Sequence, residues 1–241
     1  EVYIPSAGHD AGISMGAAYW VHHHQAQQAR SETVMQACTG SQFTNEEIIA
    51  VCKELNLNYK QVEEATIFDY VATRLAAGKV VGWFNGRAEF GPRALGGRSI
   101  LADPRRDDAK ELLNLKIKRR ESFRPFAPSI LKEQVSQWFE LDEPVPFMEK
   151  VFPIRKEKQA QIPAVTHADG SGRLQTVDKT VSERYYKLID AFYQQTQVPI
   201  LLNTSFNENE PIVNAPEEAI RCYLRTDMDM LVMQNIILER N

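Results

Sequence analysis

The chain has 241 residues, 43% hydrophobic and 25% charged, with a formal net charge of −4; this is a globular composition, enough for one large core or two unequal ones. No run approaches the roughly 18–20 apolar residues that span a bilayer, no secretory leader is visible, and the acidic balance argues against a general nucleic-acid or anionic-membrane binder. Cys38, Cys52 and Cys222 have no metal-type spacing and suit a reducing cytoplasm, and a first residue that is Glu1 rather than Met points to a piece of a longer protein.

In chain order, Val2, Tyr3 and Ile4 make an apolar start, Pro5 to Gly12 a turn, and a small-residue helix follows. Gly8, Gly12 and Gly16 recur every four residues, and their simplest reading is close packing of that helix on a neighbour. Residues 31–43 lack periodicity and read as a connection. Thr44 with Glu47 forms a capping box opening a helix whose face is Ile48, Val51, Cys52 and Leu55. A second helix after Thr66 turns Ile67, Tyr70, Val71 and Leu75 inward and stops at Gly78. Val80 to Phe84 is a short buried strand that runs into an arginine-rich loop.

Beyond Asp103-Pro104 the spacing predicts a basic helix over 108–118, then a helix carrying Leu131, Val135, Trp138 and Phe139. Pro144, Pro146, Pro153 and Pro163 mark loops and edge strands. A helix from Ser182 packs Tyr185, Leu188, Ile189 and Phe192 and feeds a strand over 198–202, ending at Asn203-Thr204-Ser205-Phe206-Asn207. The last helix starts near Pro216, a favoured first-turn position, before the apolar run Met228–Met233. The expected class is α/β (α+β) with a mixed sheet.

Four segments carry chemistry. The first, Gly86 to Ser99, sets Arg87, Arg93 and Arg98 among four glycines and a proline, a bent backbone with guanidinium groups suited to phosphate oxygens. From Arg87 to Arg124 eleven Lys/Arg face six Asp/Glu, a local balance of +5 in a chain whose remainder is −9. No P-loop and no dinucleotide fingerprint is present, so side-chain cations would have to bind any nucleotide.

In the second segment, Lys116 to Ser129, Lys118 lies near the end of the predicted helix and Pro125 and Pro128 force extended backbone after it, so that Lys118, Arg120 and Arg124 are expected to project from a stiffened edge. Lys110, Lys116 and Arg119 are expected on a solvated helix face. The third, Val165 to Thr176, brings His167, Asp169 and Arg173 to one end of a sheet as strand, turn and strand, although a lone histidine is more often structural. In the fourth, Asn203 to Asn207, short donors and acceptors end a strand where phosphate, ribose or a carbonyl can bind. By itself it equally suits a loop that satisfies its own backbone. His22-His23-His24 point in different directions on a helix and are not read as a metal site.

Together, G-R-x-E-F-G-P-R-A-L-G-x-R-S-I-L-A-D-P-R, K-x-R-E-x-F-R-P-F-A-P-S, H-x-D-G-x-x-R-x-Q-T-V and L-N-T-S-F-N resemble the C-terminal domain of the nodulation-type O-carbamoyltransferases over about residues 65–241. The resemblance implies an open twisted sheet like that of threonylcarbamoyl-adenylate synthases. It implies a domain joining ATP, with Mg²⁺, and carbamoyl phosphate into carbamoyl-adenylate, for transfer to a hydroxyl of a sugar or natural product. Residues 1–30 resemble the closing segment of that family's actin-like, metal-containing domain, the rest of which is absent, and 31–64 connect the two. Asp10 matches its metal-ligating aspartate, for iron or a similar divalent ion, in a site incomplete here.

By the same resemblance Arg93, Lys118, Arg124 and Arg173 neutralise the triphosphate and carbamoyl oxygens, and Asn203 and Ser205 bond the nucleotide or carbamoyl group. Arg87, Arg98, Arg120, His167 and Asn207 rank as neighbours, with Arg98 alternatively bracing the loop through Glu89. Two other readings stay open. One is an RNA-binding module using the +5 segment with Phe123 and Phe126, and the other is a related (threonyl)carbamoyl-adenylate enzyme.

Overall fold

The computed structural model describes residues 3–30, 35–119 and 124–240. In chain order the helices are α1 Gly12–Trp20, α2 Asn45–Glu54, α3 Glu64–Ala76, α4 Ala109–Leu113, α5 Val135–Trp138, α6 Lys156–Gln159, α7 Glu183–Thr196 and α8 Pro216–Arg225. The strands are β1 Lys60–Gln61, β2 Val81–Phe84, β3 Arg98–Ala102, β4 Ala127–Leu131, β5 Phe152–Pro153, β6 Ser171–Gly172, β7 Gln175–Val177, β8 Ile200–Ser205, β9 Met230–Met233 and β10 Ile236–Glu239. Eight of them form one sheet in the order β1-β10-β9-β2-β3-β8-β4-β7, and β5 pairs with β6 apart from it. Parallel pairs (β2 with β9, β4 with β7) stand beside antiparallel ones, so the sheet is mixed as expected.

Apolar runs make the middle of this sheet. Trp83, Phe84, Ile100, Leu101, Ile130, Leu201, Leu202, Leu231 and Val232 are fully buried, each large side chain contributing about 1.5–3 kcal/mol of transfer free energy. α3 and α7 pack on each other, with α7 also against β4 and β8, while α8 lies against β2 and β9. The capping box forms: Glu47 N donates to Thr44 Oγ1 at 3.3 Å and Thr44 N to Glu47 Oε2 at 2.7 Å. Through Ile48 and Cys52, α2 joins the same core as the sheet. No helix among the described residues is long and apolar enough to cross a membrane.

Several boundaries differ from the sequence reading for physical reasons. β8 does not stop at Leu202 but runs to Ser205, because Asn203 pairs with Leu101 and Ala127, and Ser205 with Ser99. Leu131 belongs to β4, leaving a helix of one turn at Val135–Trp138. The basic helix is α4 continued by a wider π turn, Asn114–Lys118, that ends at Arg119 with φ of 41°. The glycine repeat does not make a packing seam: α1 buries none of its residues, and a Cβ on Gly16 would meet nothing within 4 Å. Gly12 is needed by its own turn, since a Cβ there would lie 2.1 Å from the Ala7 carbonyl oxygen. Ile13, Tyr19 and Trp20 therefore face outward.

Candidate functional site

The register decides where the motifs meet. Phe84 aligns with Arg98, Ser99 with Ser205, Asn203 with Ala127, and Ser129 with Gln175. One end of the sheet therefore carries the C-termini of β2 and β8 and the N-termini of β3, β4 and β7. The Arg93 loop runs into β3 there, Arg124 stands three residues before β4, and Arg173 two residues before β7. The four segments share this end.

Lys118 is the most firmly held cation of the set. Only 3% exposed, its Nζ donates to Ser205 O at 2.6 Å, Asn207 O at 2.7 Å and Asn207 Oδ1 at 2.7 Å, with Ser205 Oγ at 3.3 Å. The left-handed Arg119 turns the chain away just after it. Lys118, Ser205 and Asn207 are thus in direct contact. Asn203, on the same strand, is buried; its Nδ2 donates to Ala94 O and Ser129 Oγ, each at 3.1 Å. Gln175 accepts from Ser129 Oγ at 2.7 Å and donates to Leu95 O at 2.9 Å. The loop after Arg93 is thereby tied to the sheet surface by two of its carbonyls.

The same loop is held from within. Glu89 Oε1 accepts from Leu95 N at 2.6 Å, Gly97 N at 2.7 Å and Arg98 N at 3.2 Å. Arg98, 1% exposed, donates to the carbonyls of Gly97 at 2.9 Å, Ser41 at 3.0 Å, Gly86 at 3.2 Å, Asn85 at 3.3 Å and Asn214 at 3.5 Å, with its guanidinium 3.6 Å above the Phe84 ring. Burial lowers its pKa to about 10 against the opposing influence of Glu89 and Cys38. Arg98 braces the loop, but through carbonyl oxygens. Gly96, at φ +102°, has to be glycine: a Cβ would lie 2.2 Å from the Tyr185 ring.

Segment 37–41, expected to be a bare connection, zips onto this loop. Phe90 N donates to Ala37 O, Ala88 N to Ser41 O, Gly40 N to Ala88 O, and Arg87 Nη1 to Gly40 O. Arg87 therefore braces rather than projects. Arg93 and Arg124 are exposed and Arg173 is half-buried. Arg93 borders a hollow of about 210 Å³ with Glu89, Arg98 and Asn214. Two adjoining hollows of about 220 and 250 Å³ share Gln36, Cys38, Leu95, Val181 and Ser182. None of these three is lined by Lys118, Arg124 or Arg173.

His167 is half-buried, with Nδ1 3.1 Å from Ser171 Oγ, which donates to Asp169 Oδ1 at 2.6 Å. Burial depresses its pKa, so the ring is neutral near pH 7. The basic helix face is not simply solvated: Lys116 reaches Asp229 at 3.0 Å, Arg119 reaches Glu208 at 3.4 Å, and Lys110 donates to Thr166 O at 2.9 Å. Arg105 and Arg106 likewise pair with Asp103 and Asp108. Asp229 and Glu208 lie outside the segment counted at +5, so their pairs with Lys116 and Arg119 offset part of the charge on which an RNA-binding reading rests. Arg120 and Phe123 lie outside the described residues. Asp10 is exposed, and no group of three His, Cys, Asp or Glu among the described residues could hold a metal ion. The residues described do not fit a metal centre.

Sequence reasoning gave no role to Ser129 and Gln175, although both stand inside the motifs it used. Strand alternation would have found them: counted in steps of two, Ser129 and Gln175 fall on the face that Asn203 shares.

The frame is a mixed α/β sheet with braced cations gathered at one end. The chain belongs to the carbamoyltransferase family: residues 72–240 match the model of the carbamoyltransferase C-terminus. All of it aligns with nodulation protein NolO of Bradyrhizobium diazoefficiens, at 42% identity over 249 residues and 45% of that protein. An uncharacterized protein of Synechocystis aligns over 100% of this chain and 43% of its own length at 45% identity. The 3'-hydroxymethylcephem-O-carbamoyltransferase of Streptomyces clavuligerus is 39% identical over 70% of this chain and 33% of its own length. The chain spans under half the length of these relatives. The solved structure of full-length HypF in a phosphate- and nucleotide-bound form covers 76% of this chain and 23% of its own, with 19% identity and a TM-score of 0.49.

Proposed function

We propose that this chain is the adenylate-forming part of a cytoplasmic, ATP-dependent O-carbamoyltransferase. Carbamoyl phosphate loses phosphate to water, and the resulting carbamate oxygen attacks the α-phosphorus of Mg-ATP. Pyrophosphate leaves and carbamoyl-adenylate remains, to be passed to a hydroxyl of a sugar or natural product. That last transfer is assigned to the part of the full-length protein beyond this chain, where a metal such as iron would be held.

Two anions react only when fixed cations offset their repulsion in a geometry set beforehand. Arg93, Arg124 and Arg173, at one sheet end, supply guanidinium forks for phosphate and carbamate oxygens. Lys118 holds the turn after β8 and adds its charge there, Ser205 offers a hydroxyl to the nucleotide or carbamoyl moiety, and Asn203, buried, acts by tying the loop after Arg93 to the sheet. The observation that carries this reading is the direct contact of Lys118 with Ser205 at the sheet end where the other three motifs also arrive.

The test is incubation of the full-length protein, and separately this chain, with Mg-ATP and carbamoyl phosphate. Pyrophosphate release and a carbamoyl-AMP mass are expected from both, and acceptor carbamoylation from the full-length protein only. Absence of carbamoyl-AMP from the full-length protein under conditions that carbamoylate an acceptor would remove the proposed intermediate.

A further inference from the structure

Three main-chain amides converge on a single oxygen of Glu89, those of Leu95, Gly97 and Arg98 at 2.6, 2.7 and 3.2 Å. Residues 94–98 thus form an anion nest filled by a carboxylate of the same loop. The nest begins one residue after Arg93. Its base is fixed as well, because the Glu89 backbone bridges Cys38 in the antiparallel ribbon with segment 37–41. Close approach is required: a Cβ on Gly97 would lie 3.1 Å from Glu89 Oε1 and 2.6 Å from Arg87 O. The loop's carbonyls are held by other groups, Ala94 O by Asn203 and Leu95 O by Gln175. Among the described residues, Glu89 supplies the acceptor for these three N–H groups.

We propose that Glu89 is a positioning residue for Arg93. By holding three amides it fixes the backbone at the root of an exposed arginine. The guanidinium then meets phosphate oxygens without the cost of ordering the loop when nucleotide arrives. The inference rests on the assignment of Arg93 to the nucleotide phosphates. A carboxylate that merely stabilised the fold would lower the melting temperature and leave the contribution of Arg93 to affinity untouched.

The experiment is a double-mutant cycle on the full-length protein, reading Mg-ATP affinity by calorimetry, pyrophosphate release, and thermal melting. Arg93→Ala and Glu89→Ala should each weaken Mg-ATP, by up to about 100-fold for a group misplaced by an ångström. The double variant should be no weaker than Arg93→Ala within a factor of about 2, because without Arg93 there is nothing left to place. Glu89→Gln retains an acceptor oxygen and should recover most of the affinity. If Glu89→Ala does not fold, Glu89→Asp, one methylene short of the nest, takes its place in the cycle with the same expectation. Additive losses, or wild-type affinity in the Glu89 variants beside a weakened Arg93→Ala, would overturn the inference and spare the Arg93 assignment. Wild-type affinity in Arg93→Ala would remove that assignment and the inference with it.

Discussion

Two buried cations stand at the same end of the sheet, one at the start of β3 and one against the end of β8, and their surroundings differ. Arg98 is bound to main-chain carbonyls from four places: Ser41, the Asn85-Gly86 pair, Gly97 and Asn214. Lys118 donates to carbonyls and side chains of the turn that holds Ser205 and Asn207. A cation that ties many separate backbone segments is spent on architecture, since none of those oxygens can leave without unfolding a connection. One that bonds partly through side chains that can rotate is, on the function proposed above, the better placed to meet an incoming anion. On the proposed function, the contrast separates the stabilising arginine of the motif from the lysine assigned to chemistry.

The largest expected effect tests the first half of that contrast. Arg98→Met keeps an apolar stem of similar length but leaves buried carbonyls unmet, and should cost about 3–5 kcal/mol, as for other broken buried charge networks. Urea denaturation reads it directly. Arg98→Lys should recover only a small part, because an ammonium cannot fork between carbonyls on several sides. A loss below about 1 kcal/mol for Arg98→Met, the range of an ordinary surface change, would break the distinction.

Lys118→Ala tests the second half. Removing one charge-assisted contact from the proposed site costs about 1.5–3 kcal/mol, roughly 10- to 150-fold in the rate of carbamoyl-adenylate formation. The stability loss should be less than half that of Arg98→Met, since two of the acceptors in the turn at 205–207 are side chains that can rotate to other partners. Pyrophosphate release and urea midpoints on the same preparations compare the two. Full activity with a large loss of stability would make Lys118 a second Arg98.

How much of this was legible beforehand depended on range. The capping box at Thr44 and the apolar run that opens β8 are local patterns, and the sequence displayed them. The motif order also marked the four segments that reach one end of the sheet. It did not show that Asn203 continues a strand, because an Asn-Thr-Ser run has the composition of a loop and becomes sheet only when β3 and β4 flank it. Nor did it show the fate of individual arginines. Arg87, Arg93 and Arg98 look alike in the Gly-rich stretch, yet Arg93 alone is exposed without being drawn to the 37–41 ribbon; Arg98 is buried and Arg87 caps Gly40. Such assignments depend on carbonyls that lie dozens of residues away. The reading of Gly8, Gly12 and Gly16 failed in the opposite direction: a small-residue stripe specifies a seam only if a partner is there to use it, and Gly16 has none within 4 Å.

The smallest expected effect concerns an ion pair outside this braced end, and it gauges the others. Asp178 accepts from Lys132 at 2.5 Å, from Thr180 N at 2.9 Å and from Thr180 Oγ1 at 2.7 Å, which together hold its pKa down at about 2 against an ordinary 3.8. The folded carboxyl binds its proton less tightly than the unfolded one, so between those two values the unfolded state carries more protons and stability rises with pH. The contribution is complete above the unfolded value and disappears as pH falls through about 2. Because Lys132 is 48% exposed, solvent screening reduces it to about 1 kcal/mol or less. Urea melts of wild type and Asp178→Asn between pH 2 and 5 should converge at the acid end and separate by that amount at the other, with the gap narrowing in high salt. An Asp178→Asn loss equal to that of Arg98→Met would mean that surface pairs and buried braces weigh alike in this fold, and the difference between Arg98 and Lys118 would lose its physical ground.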